Sequence, residues 1–395
     1  MGRLPTPPIS NPSAAQHPST PHTIPFARPI FEGREAEYVA EVLASGRVAG
    51  DGRFTKLCHE MLERELGVSR ALLTTSCTSA LDMTGLLLDI QAGDEVIAPS
   101  FTFTSTLNAF VLRGARPVFA DIRPDTLNID ESKIEHLLSP RTRAIVVVHY
   151  AGVGCEMEAI MQLAERHGLT VIEDNAQGLF GRYRGKYLGT FGALSTLSFH
   201  ETKNFSCGEG GALLINDPSY VERAEILREK GTDRSRFFRG QVDKYSWIDV
   251  GSSFLPSDLL AAVLLGQLEA RDKIQSLRRQ IWETYDANLR DWALTRGIRT
   301  PTVPKHCDQT YHMYYLVMPS FEERQATIAR LASMDISSAF HYLPLHLSKM
   351  GLRLGGKLGD CPVTEAVSDR LLRLPFHNQL TDAQLDRVIG ALQSP

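Results

Sequence analysis

One lysine stands in a stretch whose residue types suit covalent chemistry on a carbonyl. Lys203 lies between the apolar runs 194–199 and 212–215, both typical of short strands, and glycines at 208, 210 and 211 let backbone pass close by. A lysine held among apolar residues loses its proton more readily than one in water, and an imine-forming amine must be unprotonated. Taken alone, the same pattern also fits a surface-loop lysine beside a glycine turn.

A second stretch suits the binding of a phosphate group. Ser76, Cys77, Thr78 and Ser79 fall between a predicted strand and a predicted helix. The free N–H groups at a helix N-terminus attract an anion, and small hydroxylated residues add side-chain donors. Serine and threonine are also ordinary helix N-caps, so this stretch alone leaves both interpretations open. Ser198, five residues before the lysine, offers one more hydroxyl to the same phosphate.

A carboxylate and an aromatic ring complete a possible pyridoxal phosphate site. Asp174 ends the apolar run 170–173, where a carboxylate would keep the nitrogen of a bound pyridine ring protonated and the ring an electron sink. Gln177 follows one turn later and can donate to the phenolic oxygen of the ring, while Phe103 can stack on the ring face. The plainer alternatives are a turn or cap aspartate and a core phenylalanine.

The elements that must position these residues alternate between strands and helices. Strands are predicted at 71–74, 95–98, 117–120, 144–148, 170–173 and 194–199, with helical patterns at 79–88, 131–138 and 156–167. Continuous Val/Ile/Leu runs between helices predict an α/β fold with a mostly parallel central sheet covered by helices. Ligands bind such sheets at the carboxyl ends of the strands. A phosphate site, a stacking aromatic, a carboxylate and a lysine in this order predict a fold-type I pyridoxal phosphate enzyme.

Composition excludes several other classes of function. The 395 residues carry a net charge of −4 without a long basic run, which argues against nucleic acid or a membrane as the main partner. No apolar stretch approaches the ~20 residues of a transmembrane helix. The six cysteines show no paired spacing for a metal or redox site, so we expect no metal and a cytoplasmic enzyme with reduced thiols.

Three regions are predicted along the chain. Residues 1–24 are rich in Pro, Ser, Thr and His and are expected to form a disordered tail. Residues 25–300 form the large domain with an N-terminal helical arm, and a proline break near 301–304 begins a smaller α+β domain over residues 301–395. In that domain we expect strands at 314–318 and 338–342 and a helix at 322–333.

The motifs together resemble a known family. From about residue 24 onward the chain is similar to the DegT/DnrJ/EryC1/StrS sugar aminotransferases, with the resemblance carried by the stretches 99–103, 173–177, 198–204 and 208–211. The resemblance implies that Lys203 is the imine-forming lysine, that Asp174 pairs with the ring nitrogen, and that Gln177 lies near the ring oxygen. It further implies Phe103 as the stacking residue and Cys77, Thr78 and Ser198 around the phosphate of pyridoxal 5′-phosphate.

Longer segments resemble one branch of that family, the dTDP-4-amino-4,6-dideoxygalactose transaminases. These segments are 52–55, 149–155, 230–247 and 340–346. The resemblance makes four cations of the second half candidates for the sugar diphosphate, although a charged loop is often simply solvated. Tyr342 and His346 are candidates for lining the sugar site or, equally, for a structural role. The four cations are Arg234, Arg236, Arg239 and Lys244.

One position departs from the common family pattern. Many members carry an asparagine where Ser253 stands, and that asparagine reaches the phosphate from the neighbouring subunit; the branch just named shares the serine. We therefore expect a homodimeric aminotransferase that moves the amino group of glutamate to C4 of a dTDP-linked 4-keto-6-deoxyhexose. The rival hypotheses are amination at C3, a lysine-replaced dehydratase, which the presence of Lys203 disfavours, and a non-catalytic paralogue of the same fold.

Overall fold

The computed structural model describes residues 23–394. The α-helices are Glu35–Ser45 (α1), Arg53–Leu66 (α2), Cys77–Leu87 (α3), Ser105–Val111 (α4), Glu131–Ile134 (α5), Met157–His167 (α6), Val221–Arg228 (α7), Arg234–Phe238 (α8), Asp258–Glu269 (α9), Arg271–Leu294 (α10), Phe321–Ser333 (α11), Lys349–Arg353 (α12), Pro362–Ser368 (α13) and Asp382–Gln393 (α14). The β-strands are Arg70–Thr74 (β1), Glu95–Pro99 (β2), Arg116–Ala120 (β3), Thr142–Val148 (β4), Thr170–Asp174 (β5), Arg182–Tyr183 (β6), Lys186–Tyr187 (β7), Leu194–Ser198 (β8), Gly211–Ile215 (β9), Cys307–Asp308 (β10), Tyr315–Val317 (β11) and Leu371–Arg373 (β12).

A seven-stranded sheet in the order β1-β9-β8-β5-β4-β2-β3 forms the centre of the large domain. Strands β3, β2, β4, β5 and β8 run parallel, whereas β9 runs antiparallel to both of its neighbours, β8 and β1. All five residues of β2 and all five of β9 are buried, as expected of strands covered on both faces. The predicted mostly parallel fold-type I sheet is confirmed.

Helices cover the two faces of this sheet, and alternate strand residues point into different cores. Leu73 and Leu214 pack with α2 and α9 on one face, while Leu72 and Leu213 pack with α3, α4 and α7 on the other. Because side chains alternate along a strand, each apolar strand contributes to both cores. The apolar runs of the sequence thereby hold the strand ends, and the residues that follow them, at one edge.

A smaller domain is built around the second half of α10, the β11–β12 pair, α11 and α14. Tyr285 of α10 is fully buried in this core beside Leu316 and Leu372, so the packing places much of α10 with the small domain, before the boundary expected near residue 300. Ile24 is also fully buried there, and its N–H donates to Asp335 O at 2.8 Å. The predicted tail boundary at residue 24 is therefore wrong, and residues 1–22 of that tail lie outside the described residues.

The strand predicted at 338–342 does not form. Ala339 makes an isolated bridge to Arg373, with Arg373 N–H donating to Ala339 O at 2.7 Å, and the chain around it is irregular. This segment instead places Tyr342 in the wall of a cavity, and Pro344 prevents the continuation of a strand because it lacks an N–H donor. Across residues 23–394, no helix is long and apolar enough to cross a membrane.

Candidate active site

A cavity of about 530 Å³ opens at the carboxyl edge of the parallel strands. Its walls come from the ends of β4, β5 and β8, from the starts of α3 and α4, and from the small domain. The described residues that line it are Ser76, Cys77, Thr78, Leu81, Thr102, Phe103, Ser105, Val148, Asp174, Ala176, Gln177, Ser198, His200, Thr202, Lys203, Glu209, Gly210, His312, His341, Tyr342 and Arg373.

The N-terminus of α3 forms one wall of the cavity. Ser76 caps the helix, because its hydroxyl accepts a hydrogen bond from Ser79 N–H at 3.0 Å. Thr78 shares a hydroxyl–hydroxyl hydrogen bond of 2.7 Å with Ser105 at the start of α4. Cys77 donates its thiol to Thr196 Oγ1 at 3.5 Å, and burial raises the pKa of this thiol well above its ordinary value. The result is a helix start surrounded by hydroxyl groups, with a protonated thiol beside it.

A glycine allows β9 to touch this helix start. A Cβ at Gly211 would lie 2.3 Å from the carbonyl carbon of Ser76 and 2.4 Å from Cys77 N, closer than side chains can approach backbone. Gly211 pairs with Ser198 on β8, so the close contact brings Ser198 beside the amide groups of α3. The glycines after Lys203, predicted to allow a close approach, include one that does so.

Asp174 presents its carboxylate from the end of β5. The residue is 6% exposed, and Oδ2 accepts a hydrogen bond from the Thr106 hydroxyl at 2.7 Å while Oδ1 accepts one from Ala176 N–H at 3.3 Å. The Thr106 hydroxyl is itself 2.8 Å from that of Thr102. Burial raises the pKa of Asp174, and the bonds from Thr106 and Ala176, with the charge of Lys203, oppose that rise. The carboxylate is thus oriented by fixed donors and exposed only to the cavity.

Lys203 lies in the connection between β8 and β9. Its backbone N–H donates to His200 O at 2.9 Å, and its side chain lines the same cavity as Asp174. Burial lowers the pKa of the Lys203 ammonium, and the nearby Arg373 guanidinium lowers it too, whereas Cys77 and Asp174 act in the opposite direction. The setting favours the neutral amine that imine formation requires.

A network of hydrogen bonds connects Asn204, the residue after the lysine, with His312, Thr310 and Gln177. His312 lies 2.8 Å, through Nδ1, from Asn204 Oδ1, and Asn204 Nδ2 donates to Thr310 O at 2.7 Å. Thr310 donates its hydroxyl to Gln177 O at 2.7 Å. Burial lowers the pKa of His312 well below its ordinary value, so the ring is neutral. This network links the lysine loop to the segment that carries Gln177.

Gln177 and Phe103 occupy two other parts of the wall. Gln177 Oε1 accepts Ala151 N–H at 2.7 Å, and its Nε2 donates to Tyr342 Oη at 3.1 Å, so the amide is held in one orientation. Phe103 precedes α4 and is 58% exposed at the cavity mouth. The structure therefore brings together Lys203 and the cofactor residues predicted from the same chain, namely Cys77, Thr78, Phe103, Asp174, Gln177 and Ser198.

The structure places several other predicted residues away from this cavity. His346 is fully buried, with Nδ1 2.6 Å from Ser100 Oγ and Nε2 2.9 Å from Glu365 Oε1, so its position favours the structural one of the two roles considered for it. Ser253 is exposed, bridges to Glu229, and does not line the cavity of its own chain.

The candidate diphosphate-binding cations form part of an outer loop. Arg234 pairs with Glu229 at 2.8 Å, Arg239 with Glu225 at 2.6 Å, and Arg236 with Glu222. Lys244 is exposed. None of these side chains lines the cavity of the same chain.

Of the described small-domain residues that line the cavity, three were not site candidates in the sequence analysis: His312, His341 and Arg373. His341 lies 3.0 Å, through Nδ1, from the hydroxyl of Tyr150, and burial lowers the pKa of its ring well below the ordinary value. Each of the three comes from the C-terminal third of the chain and no spacing links them. For Arg373, the one available signal in the sequence was its position as a basic residue at the end of a short apolar run.

The residues present fit pyridoxal phosphate. The start of α3 offers N–H groups and hydroxyls to a phosphate, the buried carboxylate of Asp174 offers an acceptor to a ring N–H, and Lys203 reaches the same cavity. The fold and the site together define a fold-type I pyridoxal phosphate enzyme.

Comparison with known proteins gives the family. The model of the DegT/DnrJ/EryC1/StrS aminotransferase family matches residues 29–393, and the chain belongs to that family. It is 33% identical over 371 residues to the GDP-perosamine synthase of Caulobacter vibrioides, covering 93% of this chain and 97% of that protein.

Solved structures agree with this assignment. The aminotransferase TlmJ of Streptoalloteichus hindustanus is similar at 32% identity and a TM-score of 0.86, over 94% of this chain and 98% of that one. The sugar aminotransferase Spr1654 of Streptococcus pneumoniae, described as putative in its name, is similar in its PLP form at 26% identity and a TM-score of 0.87, over 94% and 98%. The protein is a sugar aminotransferase that depends on pyridoxal 5′-phosphate, as predicted.

Proposed function

We propose that the protein transfers the amino group of glutamate to C4 of a dTDP-linked 4-keto-6-deoxyhexose, giving dTDP-4-amino-4,6-dideoxygalactose. The observation that carries the proposal is the part of the chain from which one wall of the cavity comes. Tyr342 and His341 line that wall, and both belong to segment 340–346, which resembles the C4 branch of the family. A relative whose name specifies a GDP-linked amino sugar supports a nucleotide sugar as the acceptor.

The proposed roles follow from the positions of the side chains. When bound, pyridoxal phosphate supplies an electron sink for the carbanion formed at the reacting carbon. Asp174 holds the ring nitrogen protonated, and the N-terminus of α3 with Thr78 and Ser198 binds the phosphate. Lys203 first attaches the cofactor and then moves a proton between the reacting carbon and the cofactor. The lowered pKa of its ammonium suits this work, because the free amine accepts the proton.

The choice of carbon depends on how the rest of the substrate is held. The reacting carbonyl must lie about 3–3.5 Å from the attacking amine, so the grip on the hexose and the nucleotide decides between C3 and C4. Tyr342 is within reach of the hexose because it lines the cavity, and its hydroxyl is fixed by Gln177. The cofactor motifs themselves serve either carbon equally well.

A second copy of the chain would complete the site in this proposal. The loop 234–250 exposes Phe238 (71%), Tyr245 (53%) and Trp247 (80%), which is unusual for a surface that meets only water. A homodimer that covers this loop would bring Ser253 and the arginines of the loop toward the cavity of its partner. There the arginines would exchange their glutamate partners for the diphosphate of the sugar nucleotide.

The test is the identity of the product. The enzyme, loaded with pyridoxal phosphate, is given glutamate and either the 3-keto or the 4-keto dTDP-6-deoxyhexose, and proton couplings locate the amine-bearing carbon and its configuration. We expect the 4-keto sugar alone to be aminated, with an axial amine at C4. Amination of the 3-keto sugar alone would overturn the C4 assignment and leave the aminotransferase class intact. Lys203→Ala is the control that ties any product to this cavity.

A further inference from the structure

His312 is a buried histidine beside Lys203 to which no step of the proposed reaction gives a role. Its side chain is 4% exposed and lines the main cavity together with Lys203. A second, narrow cavity of about 10 Å³ shares this part of the wall, and Lys203 and His312 both line it, along with Ser198 and Gln177. The lysine and the histidine therefore meet the same small space.

The hydrogen bonds around His312 fix which of its two ring nitrogens carries the proton. Asn204 donates through Nδ2 to the backbone oxygen of Thr310 at 2.7 Å, so Oδ1 is the amide atom that faces His312. Because an amide oxygen can only accept, Nδ1 of His312, 2.8 Å away, is the donor. A neutral imidazole has one donor and one acceptor nitrogen, so Nε2 is the acceptor. Within residues 23–394, Nε2 forms no hydrogen bond.

The surroundings of His312 keep the ring neutral and in place. Burial lowers the pKa of His312 well below its ordinary value, and neighbouring charges lower it further, namely those of Lys203, Arg278, Arg373 and His341. The backbone is held as well, because the Arg278 guanidinium donates to His312 O at 2.6 Å. Nε2 is thus an unprotonated acceptor at a fixed position near the lysine.

We propose that His312 is a positioning residue for Lys203, whose Nζ donates a hydrogen bond to His312 Nε2 once it is released from the cofactor. When Lys203 takes the proton from the reacting carbon, the C–H bond breaks, its electron pair stays with the carbon and its electron sink, and an N–H bond forms on Nζ. The resulting ammonium donates one of its N–H groups to Nε2, and the transferred proton stays on Lys203. This bond stabilises the ammonium and holds Nζ in one orientation. The inference rests on the proton-carrying role proposed for Lys203 and not on the choice of sugar.

The other histidines of the described cavity wall match this arrangement less well. His341 shares a hydrogen bond of 3.0 Å between Nδ1 and the hydroxyl of Tyr150, and it does not line the narrow cavity. His200 has 40% of its side chain exposed, so water competes for its nitrogens. Of the three histidines that line the main cavity, His312 is the one with a fixed tautomer and its acceptor nitrogen beside the lysine.

Two variants of His312 separate this role from a purely structural one. His312→Asn keeps a donor near Nδ1 for Asn204 but removes the acceptor at Nε2, whereas His312→Gln places an amide oxygen near Nε2 and gives up the donor near Nδ1. The measurement is the half-reaction of the cofactor-loaded enzyme with glutamate in a single turnover without sugar, followed by the absorbance of the cofactor. We expect His312→Asn to slow this step by about 10- to 100-fold, the cost of one hydrogen bond to a charged group, and His312→Gln to slow it less.

The opposite order of the two variants would assign His312 to the support of Asn204 and overturn the proposal. Equal losses in both variants, or no loss in either, would overturn it as well. His136→Asn, at an exposed histidine, is the matched control and should leave the rate unchanged.

A second readout needs neither cofactor nor turnover. Competitive acetylation of the cofactor-free protein at several pH values, read by mass spectrometry on the peptide that contains Lys203, gives the pKa of Nζ. We expect His312→Asn to lower this pKa, because the ammonium loses an acceptor, and His312→Gln to keep it closer to that of the unchanged protein. A pKa of Lys203 that stays the same or rises in His312→Asn would refute the proposed hydrogen bond.

The dependence on Lys203 distinguishes failure of this inference from failure of the proposed function. In the Lys203→Ala enzyme, the residual rate of the glutamate half-reaction should not fall further with His312→Asn, because the group that His312 positions is gone. A further loss of the same size would show that His312 acts independently of the lysine and overturn the proposal. If Lys203→Ala left the half-reaction intact, the role proposed for Lys203 and this inference would both be wrong.

Discussion

Thr106 donates its hydroxyl hydrogen to Asp174 Oδ2 over 2.7 Å, and so a helix start fixes the carboxylate that faces the candidate cofactor ring. Thr106 belongs to α4 and Asp174 to β5, two elements that the sheet brings together from distant parts of the chain. The hydroxyl favours the ionised carboxylate against the opposing effect of burial. Two substitutions, one at Asp174 and one at Thr106, can separate the effect of the carboxylate charge on catalysis from the effect of its orientation.

We expect Asp174→Ala to abolish most amine transfer while leaving much of the cofactor bound, because the phosphate contacts at α3 survive. Thr106→Val should lower kcat by about 10- to 100-fold, the cost of one hydrogen bond to a charged group. Steady-state kinetics and cofactor titration measure the two effects. Thr104→Val, an exposed threonine without a side-chain cap bond, is the control. Near-normal turnover by Asp174→Ala would contradict the role given to this carboxylate.

The second prediction concerns the covalent attachment of the cofactor. Because Lys203 lines the cavity and its pKa is lowered by burial, we expect the loaded protein to absorb near the wavelength typical of a pyridoxal imine. Borohydride should fix the label on the peptide that contains Lys203, as read by mass spectrometry. Lys203→Ala should lose both signals, whereas Lys186→Ala, at an exposed lysine, should keep them. Label on another lysine would refute the assignment.

The third prediction tests the contact between β9 and the start of α3. Gly211→Ala puts a methyl group 2.3 Å from the Ser76 carbonyl carbon, so one of the two backbones must move. We expect weaker binding of pyridoxal phosphate and a lower melting temperature. Gly390→Ala is the matched control, because a Cβ there meets nothing within 4 Å and alanine favours the helix α14. Unchanged cofactor affinity in Gly211→Ala would show that this contact does not shape the phosphate site.

The fourth prediction is a pH dependence of stability. Burial lowers the pKa of His377 from 6.5 to about 4, and the charges of Arg278 and Arg28 act in the same direction. Between these two values the unfolded chain binds a proton that the folded protein does not, so the free energy of unfolding falls as pH falls from 6.5 toward 4. For this one group the loss is about 3 kcal/mol at most.

Denaturant unfolding at several pH values measures this slope. His377→Phe removes the titrating group and should flatten the slope over that window. His136→Gln, at an exposed histidine, should not change it. An unaltered slope in His377→Phe would mean that the other buried histidines account for the whole effect.

The sequence predicted the sheet, and it predicted that the candidate cofactor residues meet at one edge of it, because both depend on local patterns. Apolar runs of four to six residues mark buried strands, and the residues just after them, such as Asp174, fall at the ligand edge. Arg373 could not be found in this way, because only the packing of the small domain brings it to the cavity. The two roles considered for His346 could not be separated for a related reason: a motif does not show whether a side chain turns toward the ligand or toward Ser100.

The position of β1 also has a consequence for the order in which the newly made chain can assemble. This strand leads directly into α3 but pairs only with β9, where Leu72 lies opposite Leu213, so its partner is synthesised well over a hundred residues later. Strands β2, β3, β4 and β5 can pair among themselves before then. On the ribosome, β1 and the start of α3 therefore cannot reach their final positions until the loop that carries Lys203 and the strand β9 have been synthesised. A chain that stalls before residue 211 exposes β1 as an unpaired apolar strand.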